Sequence, residues 1–388
     1  MPFGLVQIPR DEETGFFLLY LTPIIGQAIA GRPSPDIRYY VSSNIITIFA
    51  NMTNRELYMS RALGLASNGE LHASPNPMVG AVIVAPDGRI IGEGWHRRCG
   101  EGHAEVNAVA SVSEADRPLL RQSTMFVTLE PCSHYGKTPP CAKLILDTGI
   151  PRVEVATVDP FARVSGRGIA MLREGGVDVR VGLLGEEARR LNRRFFGAHT
   201  RQRPWVTLKW AQSADGFIDG RDSESDSPAA ISTPLTRAAV HRERALNQAI
   251  LVGSGTVIAD SPSLTVRDYA GDSPQRFVLD RRGRLSERPG WTILSDPTPE
   301  EALSRLYSDF GIISVLVEGG ATLLNSFIAT NLWDEARIEV NPSLRLAGTP
   351  RKIAAPEFHL PALPTSVIDG HPIYRVFANP DISINLKP

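Results

Sequence analysis

From Thr53 to Asp159, short β-rich apolar runs alternate with segments whose apolar residues recur at helical spacing. That alternation admits few folds, and it predicts an α/β sandwich in which helices cover a mostly parallel sheet. Thr53 and Glu56 form a capping box, Met59, Ala62, Leu63 and Ala66 share one helical face, and Gly69 closes a helix of about four turns. VGAVIVA and RIIGEGW flank Pro86-Asp87-Gly88, turn chemistry that predicts a hairpin. A helix is expected from His103, a buried strand from Met125 and a helix after Cys141 that ends at Gly149. Another strand is expected from Val153.

A chain of 388 residues exceeds what one core usually organises, so two domains are expected. EEARRLNRRFF reads as a helix, the basic, Pro-containing run Arg201 to Pro204 as a joint, and WVTLKWA from Trp205 as a new strand. The expected domains are therefore 52–200 and 201–388. The second half repeats the α/β style, with a helix from Pro234 capped by Thr233, a strand ending in LVGSGT, whose small residues before Asp260 read as a loop, a strand at FVLD, and a strand, double glycine and helix in VLVEGGATLLNSFI. Residues 1–51 are read as an extension outside the chemistry, with Met52 as an alternative start. Phe16 to Ala30 is apolar, but Asp11, Glu12 and Glu13 stand where a secretory signal carries positive charge, and Pro23 interrupts the run. No membrane anchor is expected.

A formal net charge of -1 leaves no electrostatic footprint for nucleic acid or an acidic membrane, so neither is an expected partner. Three cysteines cannot build a disulfide framework, and two of them share one loop, PCSHYGKTPPC. That usage suits a reducing, cytoplasmic compartment and a metal or catalytic role. Cys99 has no such context and reads as a plain thiol.

His103-Ala104-Glu105 precedes Pro131-Cys132, which eight residues separate from Cys141. An imidazole and two thiolates suit Zn²⁺ with a fourth position open to water, and zinc brings that water's ionisation near pH 7. Glu105 need not be a ligand and can shuttle the proton to a leaving amine, the arrangement of zinc nucleobase deaminases, whose thiols are usually two residues apart. The alternative makes both cysteines small buried apolar side chains and His103 a core histidine. The polar, Pro-rich loop around the cysteines and their place at predicted helix starts argue against it.

SPNPMVGAVIV, GEGWH, GHAEVNAV, VTLEPCSHYGKTPPC and DPFARVSGRG, in this order, resemble the bifunctional deaminase/reductase family of riboflavin biosynthesis, of which the eight-residue spacer is itself a mark. The resemblance runs from about Met52 towards the C-terminus. It implies an N-terminal cytidine-deaminase-like α/β/α sandwich that hydrolytically deaminates a phosphoribosylated diaminopyrimidine, a small-molecule substrate. By matching positions, His103, Cys132 and Cys141 bind one zinc, Glu105 is catalytic, and Asn76, His96, His134 and Lys137 contact substrate.

LKWAQSADGFI, ILVGSGTVIADSPSLTVR and LVEGGATLLNSFI resemble the reductase half of the same family, which implies a dihydrofolate-reductase-like α/β domain using NADPH to reduce the ribosyl group to ribityl. Matching positions give Ala211, Thr256, Asp260, Gly320, Ala321, Thr322, Leu323, Leu324, Asn325 and Ser326 as cofactor contacts. Arg244, Leu264, Arg267 and Glu318 hold the substrate, with the arginines suited to its phosphate. Two positions depart from the family. A Ser-x-Trp before the helix is replaced by the run Ser227 to Ser232, so that Ser227 or Ser232 would have to substitute. Arg281 stands where relatives have a cofactor-contacting serine, and it either pairs with the NADPH 2'-phosphate or is solvated. A homo-oligomer is implied by relatives. The alternatives are a deaminase whose second half only holds substrate or oligomerises, a nucleic-acid base deaminase, and a non-catalytic zinc protein, against which Glu105 argues.

Overall fold

Strands β1 (Gly80–Val84) and β2 (Ile90–Trp95) form the expected hairpin at one edge of a five-stranded sheet. The computed structural model describes residues 52–134, 139–161, 165–221, 229–296 and 298–378; the 1–51 extension, Lys137 and Ser227 lie outside them. With β3 (Thr124–Val127), β4 (Arg152–Val155) and β5 (Asp178–Val181), the strand order is β2-β1-β3-β4-β5. β1 runs antiparallel to both β2 and β3, whereas β3, β4 and β5 are parallel. Four of the five strands thus run one way, as expected of a mostly parallel sheet, and β1 alone is reversed, because a tight hairpin can only reverse the chain while a parallel pair needs a crossover.

Side-chain alternation on β1 builds the two outer layers. Ala81 and Ile83 pack beneath α2 (Ala104–Ala110), α3 (Cys141–Thr148) and α4 (Arg167–Glu174), through Ala104, Ala108, Ala142, Ile145, Ile169 and Leu172. Val82 and Val84 face α1 (Asn54–Ser67) and α5 (Gly185–Leu191), meeting Met59, Ala62, Leu65 and Ala188. These layers are the expected α/β/α sandwich. At Gly94 a Cβ would fall 2.5 Å from the Ala104 carbonyl oxygen, so the absent side chain lets the start of α2 lie directly on β2.

EEARRLNRRFF, expected as one helix, is two. Asn192 breaks it between α5 and α6 (Arg193–Arg201), and Phe195 and Ala198 of α6 pack with Ile313 and Tyr307 of the second half. Arg201 and Arg203 both reach Asp334, at 2.9 and 2.7 Å. The buried Asn192 side chain accepts the Met78 N–H (2.7 Å) and donates to the Met78 carbonyl (2.8 Å), closing both backbone groups of the first half's loop. Asn192→Ala leaves those groups unpaired, and we expect urea unfolding to show a loss of about 1–3 kcal/mol.

In the second half, β6 (Trp205–Ser213), β8 (Ala249–Gly253), β9 (Gln275–Leu279), β10 (Trp291–Leu294), β11 (Ser314–Glu318), β12 (Glu335–Asn341), β14 (Ser366–Ile368) and β15 (His371–Phe377) form an eight-stranded sheet. Its order is β10-β9-β8-β11-β6-β12-β15-β14, parallel from β10 to β12 and antiparallel beyond. β7 (Phe217–Arg221) and β13 (Arg351–Ala354) make a separate antiparallel ribbon. One sheet face is apolar and carries α9 (Pro299–Ser308) and α10 (Ala321–Ala329) through Leu303, Leu306, Leu324 and Phe327. On β12, Ala336 and Ile338 point into that core, while the alternate residues Glu335, Arg337 and Glu339 are buried charges. Arg375 of β15, beside Arg337 in register, bridges Glu335 to Glu243 of α7 (Pro234–Ala245). This charged layer gives the second half a polar floor on which to build an anion site.

Candidate active sites

His103 is the residue that starts α2, extended at φ -70° and ψ 168°, and Cys141 is the first residue of α3. Cys132 lies between β3 and α3, where the Cys141 backbone N–H donates to its Sγ at 3.3 Å. His103 Nδ1 lies 3.3 Å from Cys141 Sγ and 3.6 Å from Cys132 Sγ, and the three donor atoms all fall within 4.8 Å of one another. Tetrahedral zinc with bonds of about 2.0–2.3 Å sets its ligands roughly 3.5 Å apart, so this donor set and spacing fit the ion. The thiol of Cys141, with His103 and the Cys141 N–H, holds Cys132 well below the usual thiol range, while Cys141 is pushed up by the proton the pair shares.

Glu105, in the first turn of α2, is 3% exposed, and burial pushes its carboxyl up to about 7. A cation held by the three ligands would oppose that rise. His96 follows β2 and is buried beside His103, the rings edge to face with centroids 5.5 Å apart. Its Nδ1 meets the Gly102 carbonyl at 3.2 Å and its Nε2 meets the Asn76 amide at 3.1 Å, a pattern that assigns the proton to Nδ1. Burial lowers its pKa, which keeps the ring neutral. Asn76, His96, His103, Glu105, Cys132 and Cys141 are thus brought into one site, with His134 exposed on the loop after Cys132.

The second half holds a cavity of about 790 Å³. Of the expected cofactor contacts, Ala211, Thr256, Asp260, Gly320, Ala321, Thr322, Leu323 and Ser326 line it, as do Arg244, Leu264 and Glu318. Leu324 turns into the apolar core, and Asn325 is exposed and does not line the cavity. LVGSGT, expected to end in a small-residue loop, instead passes from β8 directly into α8 (Ser254–Asp260). Thr256 on that helix accepts the Gly320 N–H at 3.1 Å, which fixes the double glycine against it. Arg267 lines an adjoining cavity of about 330 Å³, and Lys209 and Arg244 line both. Arg244 pairs with Glu318 through two bonds of 2.8 and 2.9 Å. Burial alone would raise Glu318, but Lys209 and the Arg244 guanidinium outweigh it and hold the carboxylate below its ordinary value.

The model of the cytidine and deoxycytidylate deaminase zinc-binding region matches residues 52–157, and that of the RibD C-terminal domain matches residues 204–353. The riboflavin biosynthesis protein RibD of Bacillus amyloliquefaciens is 36% identical over 376 residues, which cover 82% of this chain and 99% of that protein. The chain belongs to the RibD family. The RibD of Escherichia coli K12 is 36% identical over 330 residues, with 74% and 88% of the two chains covered. The solved structure of Acinetobacter baumannii RibD superposes with a TM-score of 0.73 at 32% identity, over 84% of this chain and 98% of that one. That of the Thermotoga maritima deaminase/reductase gives 0.72 at 35% identity over the same shares. The chain is accordingly a bifunctional enzyme of riboflavin biosynthesis, a zinc-dependent deaminase joined to an NADPH-dependent reductase.

Three features of this RibD chain escaped the sequence reading. Glu130, buried beside the zinc-site loop, accepts the N–H groups of Gly166 and Gly168 at 2.9 Å and of Asp159 at 3.3 Å, tying the start of α4 to the segment that carries Cys132. Its signal was its place within LEPC, next to a ligand. Asp159 is a second buried carboxylate, pushed up to about 6 by burial and holding the Phe161 N–H at 2.8 Å. Lys209 was legible as a lone charge in the apolar run WVTLKWA. Of the family departures, Ser232 lines the smaller cavity and donates to Glu339 at 2.9 Å, and Arg281 lines the larger one with Arg282 and Arg284.

Proposed function

We propose that His103, Cys132 and Cys141 hold the zinc, and that Glu105, Asn76 and His96 work beside it on the pyrimidine of 2,5-diamino-6-(5-phosphoribosylamino)pyrimidin-4-one. The observation that carries this reading is the convergence of one imidazole and two sulfurs next to a buried carboxylate that is not one of the three ligands. When bound, zinc supplies Lewis-acid activation of water near neutral pH. Glu105 takes a proton from the attacking water and returns it to the departing amino group. Asn76 presents its amide to the ring, and neutral His96 fixes that amide through its unprotonated Nε2. His134 and Lys137, the latter outside the described residues, complete the substrate contacts by their match to the family.

In the second half we assign NADPH to the larger cavity, along Ala211, Thr256, Asp260 and the start of α10, and the ribosyl substrate to the end where Lys209, Arg244 and Glu318 meet. Holding the nicotinamide against ribose C1 and excluding water supply most of the rate. We place the joint between the domains at Asn192, since α6 packs on the second half. The reading also assigns the enzyme to the cytoplasm and to a homo-oligomer; among the described residues no helix is long and apolar enough to cross a membrane. Zinc content, ammonia release and NADPH oxidation measured on one preparation test the whole. About one zinc per chain and both activities are expected, whereas ammonia release without NADPH oxidation on the deaminated product would reduce the second domain to a substrate holder.

A further inference from the structure

The cavity of about 330 Å³ beside the cofactor site has a basic wall: Lys209, Arg237, His241, Arg244 and Arg267 line it, and among the described residues no carboxylate does. Arg237, His241 and Arg244 recur at four and three residues along α7, the spacing that puts side chains on one helical face. Ala229, Ala230 and Ile231 also line the cavity and bring no side-chain donor. This is the stretch that replaces the family's Ser-x-Trp, and the hydroxyl of Ser232 is turned to Glu339 at 2.9 Å.

The basic groups differ in how much of their charge is already answered. Arg244 gives the Nε and Nη2 edge of its guanidinium to Glu318, and its Nη1 donates to the Thr265 carbonyl at 3.2 Å. The Arg267 Nη1 donates to the hydroxyls of Ser263 and Thr265, at 2.5 and 3.1 Å, neutral partners that aim the group without cancelling its charge. His241 accepts the Arg267 backbone N–H on Nδ1 at 2.8 Å and faces Asp268 with Nε2 at 3.5 Å, so its ring holds the Arg267 segment in place. Arg237 donates its Nη1 to the Ser232 carbonyl at 2.8 Å, again a neutral acceptor, and lies at the exposed side of the cavity. Two guanidiniums anchored by neutral groups, in a cavity that no carboxylate lines among the described residues, suit a dianion, because a planar fork pairs phosphate oxygens two at a time.

We propose that Arg237 binds the phosphate group of the reductase substrate together with Arg267, supplying the donor that the Ala229–Ala230–Ile231 wall lacks. This rests on the reading of the cavity as the reductase substrate site. Arg237→Ala in the full-length, zinc-loaded enzyme is expected to raise the reductase KM for the phosphorylated substrate by ten- to a hundredfold, the equivalent of losing one charged hydrogen bond of about 1.5–3 kcal/mol. It should leave kcat and the Kd of NADPH as they are. Calorimetric binding of ribose 5-phosphate should weaken by the same factor, and Arg237→Lys should recover part of it. If Arg237→Ala lowers kcat or NADPH affinity together with substrate affinity, Arg237 only props up the segment before α7 and the proposal fails. An unchanged KM in Arg237→Ala beside a raised one in Arg267→Ala overturns the proposal alone. No change in either variant overturns the substrate-site reading as well.

Discussion

Glu105→Gln is expected to cut ammonia release by about 10²–10⁴-fold, the range over which a positioned general acid–base group contributes. The substitution keeps the shape of a side chain that is 3% exposed and removes only its capacity to take and return a proton. Zinc content should stay at the level of the unaltered enzyme, because the three ligand atoms belong to His103, Cys132 and Cys141. NADPH oxidation with the deaminated substrate should also persist, since the described residues that line the cofactor cavity all belong to the second half. Ammonia release above about a tenth of the original rate would remove Glu105 from the mechanism. Loss of zinc together with activity would make it a structural group instead.

Gly168→Ala should damage the same centre from a distance. A Cβ at Gly168 would stand 1.8 Å from the carbonyl oxygen of Pro131, the residue before Cys132, and 3.3 Å from Glu130 Oε1. Neither contact can be relieved by a flexible side-chain end, because the first is main chain and the second belongs to a carboxylate fixed by several backbone N–H groups. Either α4 backs away from Glu130 or the Pro131–Cys132 segment shifts, and a displacement of about 1 Å at a catalytic group can cost roughly 10²-fold in rate. We expect ammonia release to fall by that order, zinc content to drop below one per chain, and stability to fall by about 1–3 kcal/mol as in other overpacked sites. Metal analysis, the ammonia assay and thermal unfolding of one sample check all three. Full zinc with undiminished ammonia release would show that the close approach does not hold the metal loop.

How much was legible follows from how local each signal is. Helices and strands were readable where a cap, a glycine or a run of one periodicity marked them: Thr233 does accept the Thr236 N–H, Gly149 does close α3 in the left-handed conformation, and the Pro86-Asp87-Gly88 turn does join an antiparallel pair. The break at Asn192 was not readable, because arginines and leucine continue a helical pattern across it. What ends α5 there is a pair of hydrogen bonds to Met78, more than a hundred residues away in the chain. The place of β1, antiparallel between β2 and β3, was not readable for a similar reason, since periodicity locates strands but says nothing of which neighbour each will find.

By itself, the sequence determined the chemistry of the first site, since rare residue types at a distinctive spacing name a donor set without any geometry. It also determined the family, through motifs spread along most of the chain. Only the tertiary structure decided which polar residues support those groups: Glu130 under the zinc loop, the Asn76 amide on His96, and Lys209 and Arg237 in one cavity with Arg267. Ordinary charged residues carry no mark of their partners, and their partners here lie on other strands and helices. A pattern can show that a residue is polar, but folding sets the distances, burial and competing bonds that turn polarity into a function.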